Sequence, residues 1–308
     1  MRVTAIQKVA LDTLAFHLSP ADGRPLPPYT AGAHIDVQVP CGLTRQYSLC
    51  GDPADRSGYR IAVKREAQGR GGSISLHDQA EVGIALGIVG PRNHFPLHER
   101  ATRHLLIAGG IGITPIHSMI HTLQAQGQDW ALHYCARSRA HAAFYEELVA
   151  LGGERVTAHF SEWPSLDVAA LLSEVSEGTH VYCCGPKGLM QAVQSAAGHW
   201  PEGRLHFEWF AAPETDWPAN QPFEVRLARA NRTFLIPADQ SILAVLREGG
   251  IRVPCACEEG VCGTCETAVL EGLPQHRDSL LSPEERAEGR TMMICVSRAH
   301  TTSLVLDL

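Results

Sequence analysis

The sequence predicts a multidomain chain of three parts: a small antiparallel β-barrel, an α/β domain with a parallel sheet, and a small α+β domain. Three observations predict this. About the first hundred residues contain short alternating strands, turn glycines and little helix. About the next hundred alternate between strand and helix patterns, which indicates an open parallel sheet. The last part has four cysteines within eleven residues, followed by further short strands.

Length and charge exclude several classes of protein. A chain of 308 residues is expected to form two or three domains. No stretch reaches the roughly 18 apolar residues of a membrane span, and the N-terminus alternates like a strand instead of resembling a signal peptide. The net charge of −7 is spread along the chain, without the basic stripe of a nucleic-acid-binding protein. We therefore expect a cytoplasmic protein that binds neither membrane nor nucleic acid.

Two segments of the first part have the composition of a phosphate-binding site. In "TRQYSLCG", alternation places Arg45 and Tyr47 on one face of a strand and Gln46 and Ser48 on the other. In "GRGGS", glycines lead into a short helix that opens at Ser73. The backbone N–H groups at the start of a helix attract anions. This helix start, together with Arg45, is therefore expected to hold a terminal phosphate.

The second part begins with a buried type of strand, Leu105 to Ala108, followed by the glycine-rich "GGIGITP" and an apolar helix. Thr114 suits the N-cap of that helix, and Pro115 suits its first position. The turn can receive a pyrophosphate, although its spacing is not the G-x-G-x-x-G fingerprint. Ligands bind beyond the carboxyl ends of parallel strands. The segment 184–186, Cys-Gly-Pro after a later strand, is therefore expected at the same site.

The cysteine spacing predicts an iron–sulfur site. Disulfides are not expected in a reducing cytosol, so the clustered cysteines need another explanation. Cys257, Cys262 and Cys265 are spaced C-x4-C-x2-C, and Cys295 follows after 29 further residues, which matches the plant-type [2Fe–2S] pattern. Zinc is the weaker alternative, because it usually takes two C-x2-C pairs and only one is present. Cys255 lies outside the spacing and is expected to be a bystander.

Taken together, the chain resembles the phthalate dioxygenase reductase family, which includes the vanillate demethylase reductases. The resemblance covers essentially the whole chain and rests on "RQYSL", "VKRE", "GRGGS", "GPRNHFPL", "GGIGITP", "CGP", "HFEWF" and "CEEGVCGTC". It implies an NADH-dependent flavin iron–sulfur oxidoreductase that passes electrons from NADH through FMN and a [2Fe–2S] cluster to a separate Rieske non-haem iron oxygenase acting on an aromatic or related substrate. The implied domains are an FMN-binding barrel (1–98), an NADH-binding domain of ferredoxin reductase type (99–212), a linker (213–221) and a plant-type ferredoxin domain (222–308).

The resemblance also implies roles for individual residues. Arg45, Gln46, Tyr47 and Ser48 would line the flavin, with Tyr47 against the isoalloxazine and Ser48 near its N5. The ribityl chain and phosphate would be bordered by Lys64, Gly71, Gly72 and Ser73, and the other flavin face by Phe210. The nicotinamide dinucleotide would meet Gly110, Thr114, Cys184, Gly185 and Pro186, with Cys184 beside nicotinamide C4. Ser48, Cys184 and Glu208 are the predicted catalytic residues, Glu208 supporting Ser48.

Several alternatives remain at this stage. The flavin is expected to be FMN, with FAD as the other possibility. Arg137 and Arg139 follow the second strand of the nucleotide domain, where the 2′-phosphate of NADPH would lie, although the resemblance favours NADH. The same electron chain could serve a cytochrome P450 or another oxygenase. A non-enzymatic iron–sulfur redox sensor is the alternative from a different class. His117 and His121, spaced i,i+4 on one helix, are expected to form a surface pair.

Overall fold

The computed structural model describes residues 1–161, 166–211 and 217–308. The chain divides into two compact units, Met1–Glu208 and Trp209–Leu308, which are described separately below. The predicted boundary between barrel and nucleotide domain, at residues 98 and 99, falls inside the first unit and stays a prediction. Of the predicted linker 213–221, residues 213–216 lie outside the described residues.

The first unit opens with two three-stranded antiparallel sheets, ordered β1-β2-β5 and β4-β3-β6, which confirm the predicted antiparallel architecture. Single bridges join Arg2 to Ala85 and Leu49 to Ile61. Alternating apolar side chains fill the space between the sheets, with Phe16, Ile35 and Ile61 fully buried. The elements are β1 (Arg2–Ala10), β2 (Thr13–Ser19), β3 (Ala33–Gln38), β4 (Thr44–Ser48), β5 (Tyr59–Lys64), α1 (Gly72–Gln79) and β6 (Gly87–Asn93).

A five-stranded parallel sheet of order β11-β10-β7-β8-β9 follows, as predicted. All of β10 is buried, because a parallel sheet carries helices on both faces. The elements are β7 (Arg103–Gly109), α2 (Ile113–Ala125), β8 (Asp129–Ala136), α3 (Tyr145–Gly152), β9 (Val156–Phe160), α4 (Val168–Leu171), β10 (Thr179–Cys184), α5 (Lys187–Ala196) and β11 (Leu205–Glu208).

The start of α2 differs from the prediction. A 3-10 turn, Gly110–Gly112, precedes the helix, and Gly112 is its N-cap. The Thr114 hydroxyl donates to the Ile111 carbonyl at 3.0 Å and caps no backbone N–H. The prediction that Thr114 is the N-cap is therefore wrong by two residues, because the tight glycine turn begins the helical winding earlier than the hydroxyl pattern indicates.

The second unit is built on a mixed sheet of order β13-β12-β18-β14-β16, which confirms an α+β domain. Its core contains Val225, Leu246 and Met292. Ser241 caps α6 through Ala244 N–H, and Ser282 with Glu285 forms a capping box on α7. The elements are β12 (Phe223–Leu227), β13 (Arg232–Ile236), α6 (Ile242–Glu248), β14 (Glu266–Glu271), β15 (Pro274–Gln275), α7 (Pro283–Glu288), β16 (Thr291–Met293), β17 (Arg298–Ala299) and β18 (Ser303–Leu306).

Among the helices of the described residues, none combines the length and apolar character needed to cross a bilayer.

Candidate flavin, nucleotide and cluster sites

The start of α1 forms a cradle suited to a phosphate. Its N-cap is Gly71, in the left-handed region at φ 85°, so no side chain caps the first N–H groups of this helix. The guanidinium of Arg45 donates to the carbonyl oxygens of Thr44 at 2.8 Å and Arg70 at 3.4 Å. A Cβ added to Gly72 would lie 2.7 Å from Arg45 Cγ, so only glycine lets the helix approach this side chain. Open N–H groups beside a guanidinium are the donor set that a phosphate needs.

Ser73 and Lys64 lie near this cradle. The Ser73 hydroxyl accepts a hydrogen bond from the backbone N–H of Glu66 at 3.1 Å, and Lys64 pairs with the Glu66 carboxylate. Lys64 also lines a cavity at the parallel sheet, together with Gly110. Lys64 therefore stands between the predicted flavin phosphate and the predicted nucleotide site.

Ser48 ends β4 where it meets the carboxyl end of β11. Its hydroxyl donates to Glu208 Oε2 at 3.3 Å across 160 residues of sequence. Burial raises the pKa of Glu208 to about 8. The hydrogen bond from Ser48 acts in the opposite direction and lowers this pKa. The predicted pairing of Ser48 with Glu208 is thus present in the structure.

Orphaned polar atoms near Ser48 indicate a polar ligand. His34 lies opposite Ser48 in the β3–β4 ladder and Asp36 lies opposite Gln46, so all four side chains share one face. His34 Nε2 and Gln46 Nε2 are buried without a hydrogen-bond partner among the described residues. Such atoms are costly unless a partner binds. The polar edge of an isoalloxazine has the acceptors that these donors lack, so the residues present fit a flavin.

Tyr47 points to the other face of β4 and packs against the barrel core, where burial raises the pKa of its phenol. Its predicted stacking on the flavin stays a prediction. Phe210 belongs to the second unit and is 42% exposed, and its predicted place on the flavin also stays a prediction.

The two glycine loops of the parallel sheet touch each other. A Cβ on Gly112 would lie 2.2 Å from the Cys184 carbonyl oxygen, and one on Gly109 would lie 2.5 Å from Pro186 Cδ. Gly185 is equally crowded, since its added Cβ would lie 2.9 Å from the Gly109 nitrogen. By contrast, Gly110 has φ 52° and open space on its Cβ side. The structure therefore brings the two predicted dinucleotide-binding segments together and leaves Gly110 open.

A cavity of about 380 Å³ lies beyond these strand ends. Its lining includes Gly110, Ile111, Arg137, Pro186 and, from the barrel, Lys64. Cationic side chains beside a glycine turn suit a pyrophosphate, so the residues present fit a nicotinamide dinucleotide. Arg139 does not line the cavity and instead forms an ion pair with Glu146 at 2.6 Å.

Cys184 is fully buried at the end of β10. Burial, followed by the charge of Glu208, raises the pKa of its thiol well above the usual range. A thiol that stays protonated is a poor nucleophile, which agrees with the predicted packing role. Neighbouring Cys183 faces the other way and its thiol approaches Met190 Sδ at 3.5 Å, as expected for a core residue.

The four predicted cluster ligands are buried and close together. Cys257 lies within hydrogen-bond reach of Cys262 and of Cys295, and Cys295 also of Cys265. In the described residues no three His, Cys, Asp or Glu side chains converge as a single metal ion would need. A two-iron cluster does not require that, because each iron takes two of the four thiolates. The donor set therefore fits [2Fe–2S].

The loop supplies further polar contacts. Gly260 and Gly263 adopt φ 71° and 74°, which lets the backbone turn around the sulfur atoms. The Glu259 N–H donates to Cys257 Sγ at 3.3 Å, a contact of the kind that tunes cluster potentials. Cys255 stands apart, with its sulfur 3.0 Å from Arg247 Nη2.

One sequence expectation about a histidine pair is wrong. The two rings do meet, with centroids 4.8 Å apart, but His117 is fully buried and contacts the backbone of Cys50, so the pair does not lie on the surface. The periodicity of α2 indicated its apolar face but not which histidine lies on it. His34 has no motif of its own in the sequence, although its position opposite Ser48 in the ladder follows once β3 and β4 are paired.

The comparisons with known proteins agree with this geometry. Residues 225–300 match the family model of a 2Fe-2S iron-sulfur cluster binding domain, and residues 91–200 match the N-terminal domain of dimethylamine monooxygenase subunit DmmA-like proteins. The chain is 50% identical over 311 residues to phenoxybenzoate dioxygenase subunit beta of Ectopseudomonas oleovorans, covering 100% of this chain and 97% of that protein.

Two solved structures are also similar. The structure of phthalate dioxygenase reductase has a TM-score of 0.74 and 44% identity, covering 100% of this chain and 97% of that one. An intact type IV self-sufficient cytochrome P450 monooxygenase has a TM-score of 0.93 and 42% identity. This chain covers 40% of that longer protein.

Fold and sites together define an electron-transfer reductase with a flavin site, a nicotinamide nucleotide site and a [2Fe–2S] site. More specifically, the chain belongs to the phthalate dioxygenase reductase family. Proteins of this family are reductase components that move electrons from a reduced nicotinamide nucleotide through flavin and [2Fe–2S] to an oxygenase. The chain is therefore an enzyme, and the redox-sensor alternative is wrong.

The proposed phosphate cradle at the start of α1 can be tested by its effect on flavin retention. Gly72→Ala places a methyl group against Arg45 and displaces its guanidinium, so we expect about tenfold weaker flavin retention, equivalent to ~1.4 kcal/mol. Fluorescence of flavin released on dilution measures this. Gly198→Ala is the control, because its added Cβ makes only an ordinary contact at 3.7 Å. Equal flavin retention in both variants would contradict the assignment of the cradle.

Proposed function

We propose that this chain binds FMN, oxidises NADH and delivers single electrons to a separate Rieske non-haem iron oxygenase that acts on an aromatic or related small substrate. The observation that carries the proposal is the presence in one chain of a phosphate cradle, a glycine-turn cavity and a buried group of four cysteines. No single one of these sites would suffice, since each occurs in other classes of protein.

The choice of FMN is supported by the cradle. Gly71 and Gly72 open the helix N-terminus, and the Arg45 guanidinium lies against it. A terminal phosphate monoester carries close to two negative charges and gains most from such a combination. The pyrophosphate of FAD spreads its charge and continues into an adenosine, so it would gain less from this cradle.

The choice of NADH is supported by the arginines after β8. Arg139 is held by Glu146, and its guanidinium lies 5.3 Å from the Tyr145 ring centroid. Only Arg137 of the two lines the cavity in the described residues. A single arginine after β8 is less than the paired arginines expected for a 2′-phosphate.

The residues at the strand ends would orient and protect the reacting groups. A bound flavin accepts a hydride and can release its electrons singly, and that chemistry belongs to the cofactor. Ser48 would offer its hydroxyl near N5. Glu208, neutral below about pH 8, places no negative charge beside a ring that gains electrons. Cys184 would pack beside the nicotinamide without reacting.

A pH profile tests the role of Glu208. Because its pKa is about 8, the carboxyl becomes charged above that pH and is expected to slow flavin reduction by NADH. Anaerobic stopped-flow absorbance should show the rate falling as pH rises from 7 to 9, with the inflection lost in Glu208→Gln. An unchanged profile in that variant would remove Glu208 from the site.

The cysteine loop would be the exit for electrons. Cys262→Ser removes one ligand, so we expect reduction of ferricyanide to persist and reduction of cytochrome c to fall sharply, because cytochrome c would take its electrons from the cluster. Steady-state assays with NADH measure both activities. Cys255→Ser is the matched control, since that sulfur contacts Arg247 instead of the other thiols. Retention of both activities in Cys262→Ser would show that electrons leave elsewhere.

A cytochrome P450 partner is the second candidate, favoured by the similarity to the self-sufficient P450 monooxygenase. The two are separated by mixing the holoprotein with a purified Rieske oxygenase or a purified P450 under NADH without oxygen. Bleaching of the Rieske spectrum with no change in the P450 supports the first proposal. The reverse outcome replaces it with the second.

A further inference from the structure

A chain of polar contacts joins the flavin half of the first unit to the nucleotide half. Arg60 on β5 makes two hydrogen bonds of 2.8 Å to the carboxylate of Glu147 on α3. His117 on α2 lies 3.5 Å from the same carboxylate and 2.6 Å from the Cys50 carbonyl oxygen. The Cys50 N–H donates back to the Arg60 carbonyl at 2.9 Å. His117 Nε2 makes no hydrogen bond to this carboxylate among the described residues. We call these four residues the interdomain clasp.

The clasp is charged and partly buried, which makes it sensitive to loss of one member. His117 is fully buried, the Arg60 side chain is 15% exposed, and the Glu147 side chain is 38% exposed. Hydrogen bonds from Arg60 hold the pKa of Glu147 well below its usual range, so the carboxylate remains ionised. Since a carbonyl oxygen only accepts, His117 Nδ1 carries the hydrogen towards Cys50. Removing the Glu147 carboxylate leaves the mostly buried Arg60 guanidinium without its ion-pair partner.

Phe144 supports the clasp from a strained backbone. It precedes α3 with φ 61°, which is unusual for a bulky residue. The Arg60 guanidinium lies 4.5 Å from its ring centroid, and the His117 ring centroid lies 4.7 Å away. Strain of this kind persists where the surroundings fix a residue, and it concentrates at functional sites.

The clasp lies close to both the predicted flavin contact and the predicted dinucleotide turn. Cys50 is two residues beyond Ser48, the predicted contact of flavin N5. Its carbonyl oxygen is hydrogen-bonded to His117, and its N–H is hydrogen-bonded to Arg60. His117 lies one helical turn into α2, directly after the glycine turn predicted to hold the dinucleotide. A single hydrogen bond therefore ties the flavin-bearing strand end to the nucleotide-bearing helix.

The geometry points to Arg60, Glu147 and His117 as positioning residues that set the distance between nicotinamide and flavin for hydride transfer. This inference rests on the proposed function. Transfer requires the reacting atoms at roughly 3–3.5 Å, and a misplacement of about 1 Å can cost about 10²-fold in rate. A clasp that fixes both supports can control that distance without touching either ligand.

The test uses the FMN-loaded holoprotein and Glu147→Gln, Arg60→Met and His117→Gln. Anaerobic stopped-flow should show flavin reduction at saturating NADH slowed by about tenfold or more. NADH affinity should change by less than about threefold, because the nucleotide contacts remain. The long-wavelength charge-transfer absorbance of the NADH–flavin complex should weaken in parallel, since it depends on stacking of the two rings. Arg60→Lys, which keeps the charge but not the paired hydrogen bonds, should be intermediate.

Two controls separate positioning from stability. Leu148→Ala removes a fully buried side chain next to Glu147 and lowers the melting temperature while leaving the clasp groups present. His121→Gln changes the neighbouring histidine one turn along α2. Both should keep the charge-transfer absorbance and the rate of flavin reduction. The inference is overturned if the clasp variants lower only the melting temperature, as Leu148→Ala does. If unaltered protein is not reduced by NADH, the proposed function fails instead.

Discussion

The hydroxyl of Ser48 and the carboxyl of Glu208 meet where an antiparallel strand and a parallel strand end together. The proposed function depends on this junction, because β4 carries the predicted flavin contacts and the parallel sheet presents its glycine turns at the same edge. Gly112 and Gly109 bring the two nucleotide loops into contact there. A barrel and a parallel sheet thus share one cleft without either fold having to contain the whole site.

Much of this arrangement could be predicted from local patterns. The spacing of Cys257, Cys262 and Cys265 indicates its ligand set because three thiolates come from one loop. The glycine turn after β7 and the glycines before α1 are equally local, since each encodes a backbone shape that other residues resist. Alternation along β4 also placed Ser48 and Gln46 on one face, which the ladder with β3 confirms.

Contacts between distant segments could not be read in the same way. Arg60 and Glu147 are 87 residues apart, and neither has a local motif. His180 and His206 lie on neighbouring parallel strands, with Nδ1 and Nε2 2.9 Å apart, a proximity that no helical spacing reveals. At Thr114 a local pattern gave the wrong result. Threonine favours the N-cap position, but the tight glycine turn before it starts the helix earlier. Long-range packing decides such cases, and sequence periodicity describes only one element at a time.

The order of strands in the second unit has a consequence for biogenesis. β18 is the last strand in sequence, yet it lies between β12 and β14 in the middle of the sheet. The scaffold behind the cysteine loop therefore stays incomplete until residues 303–306 leave the ribosome, whereas the first unit has all its strands by residue 208. The first unit can therefore fold while the sheet of the second unit still lacks its central strand.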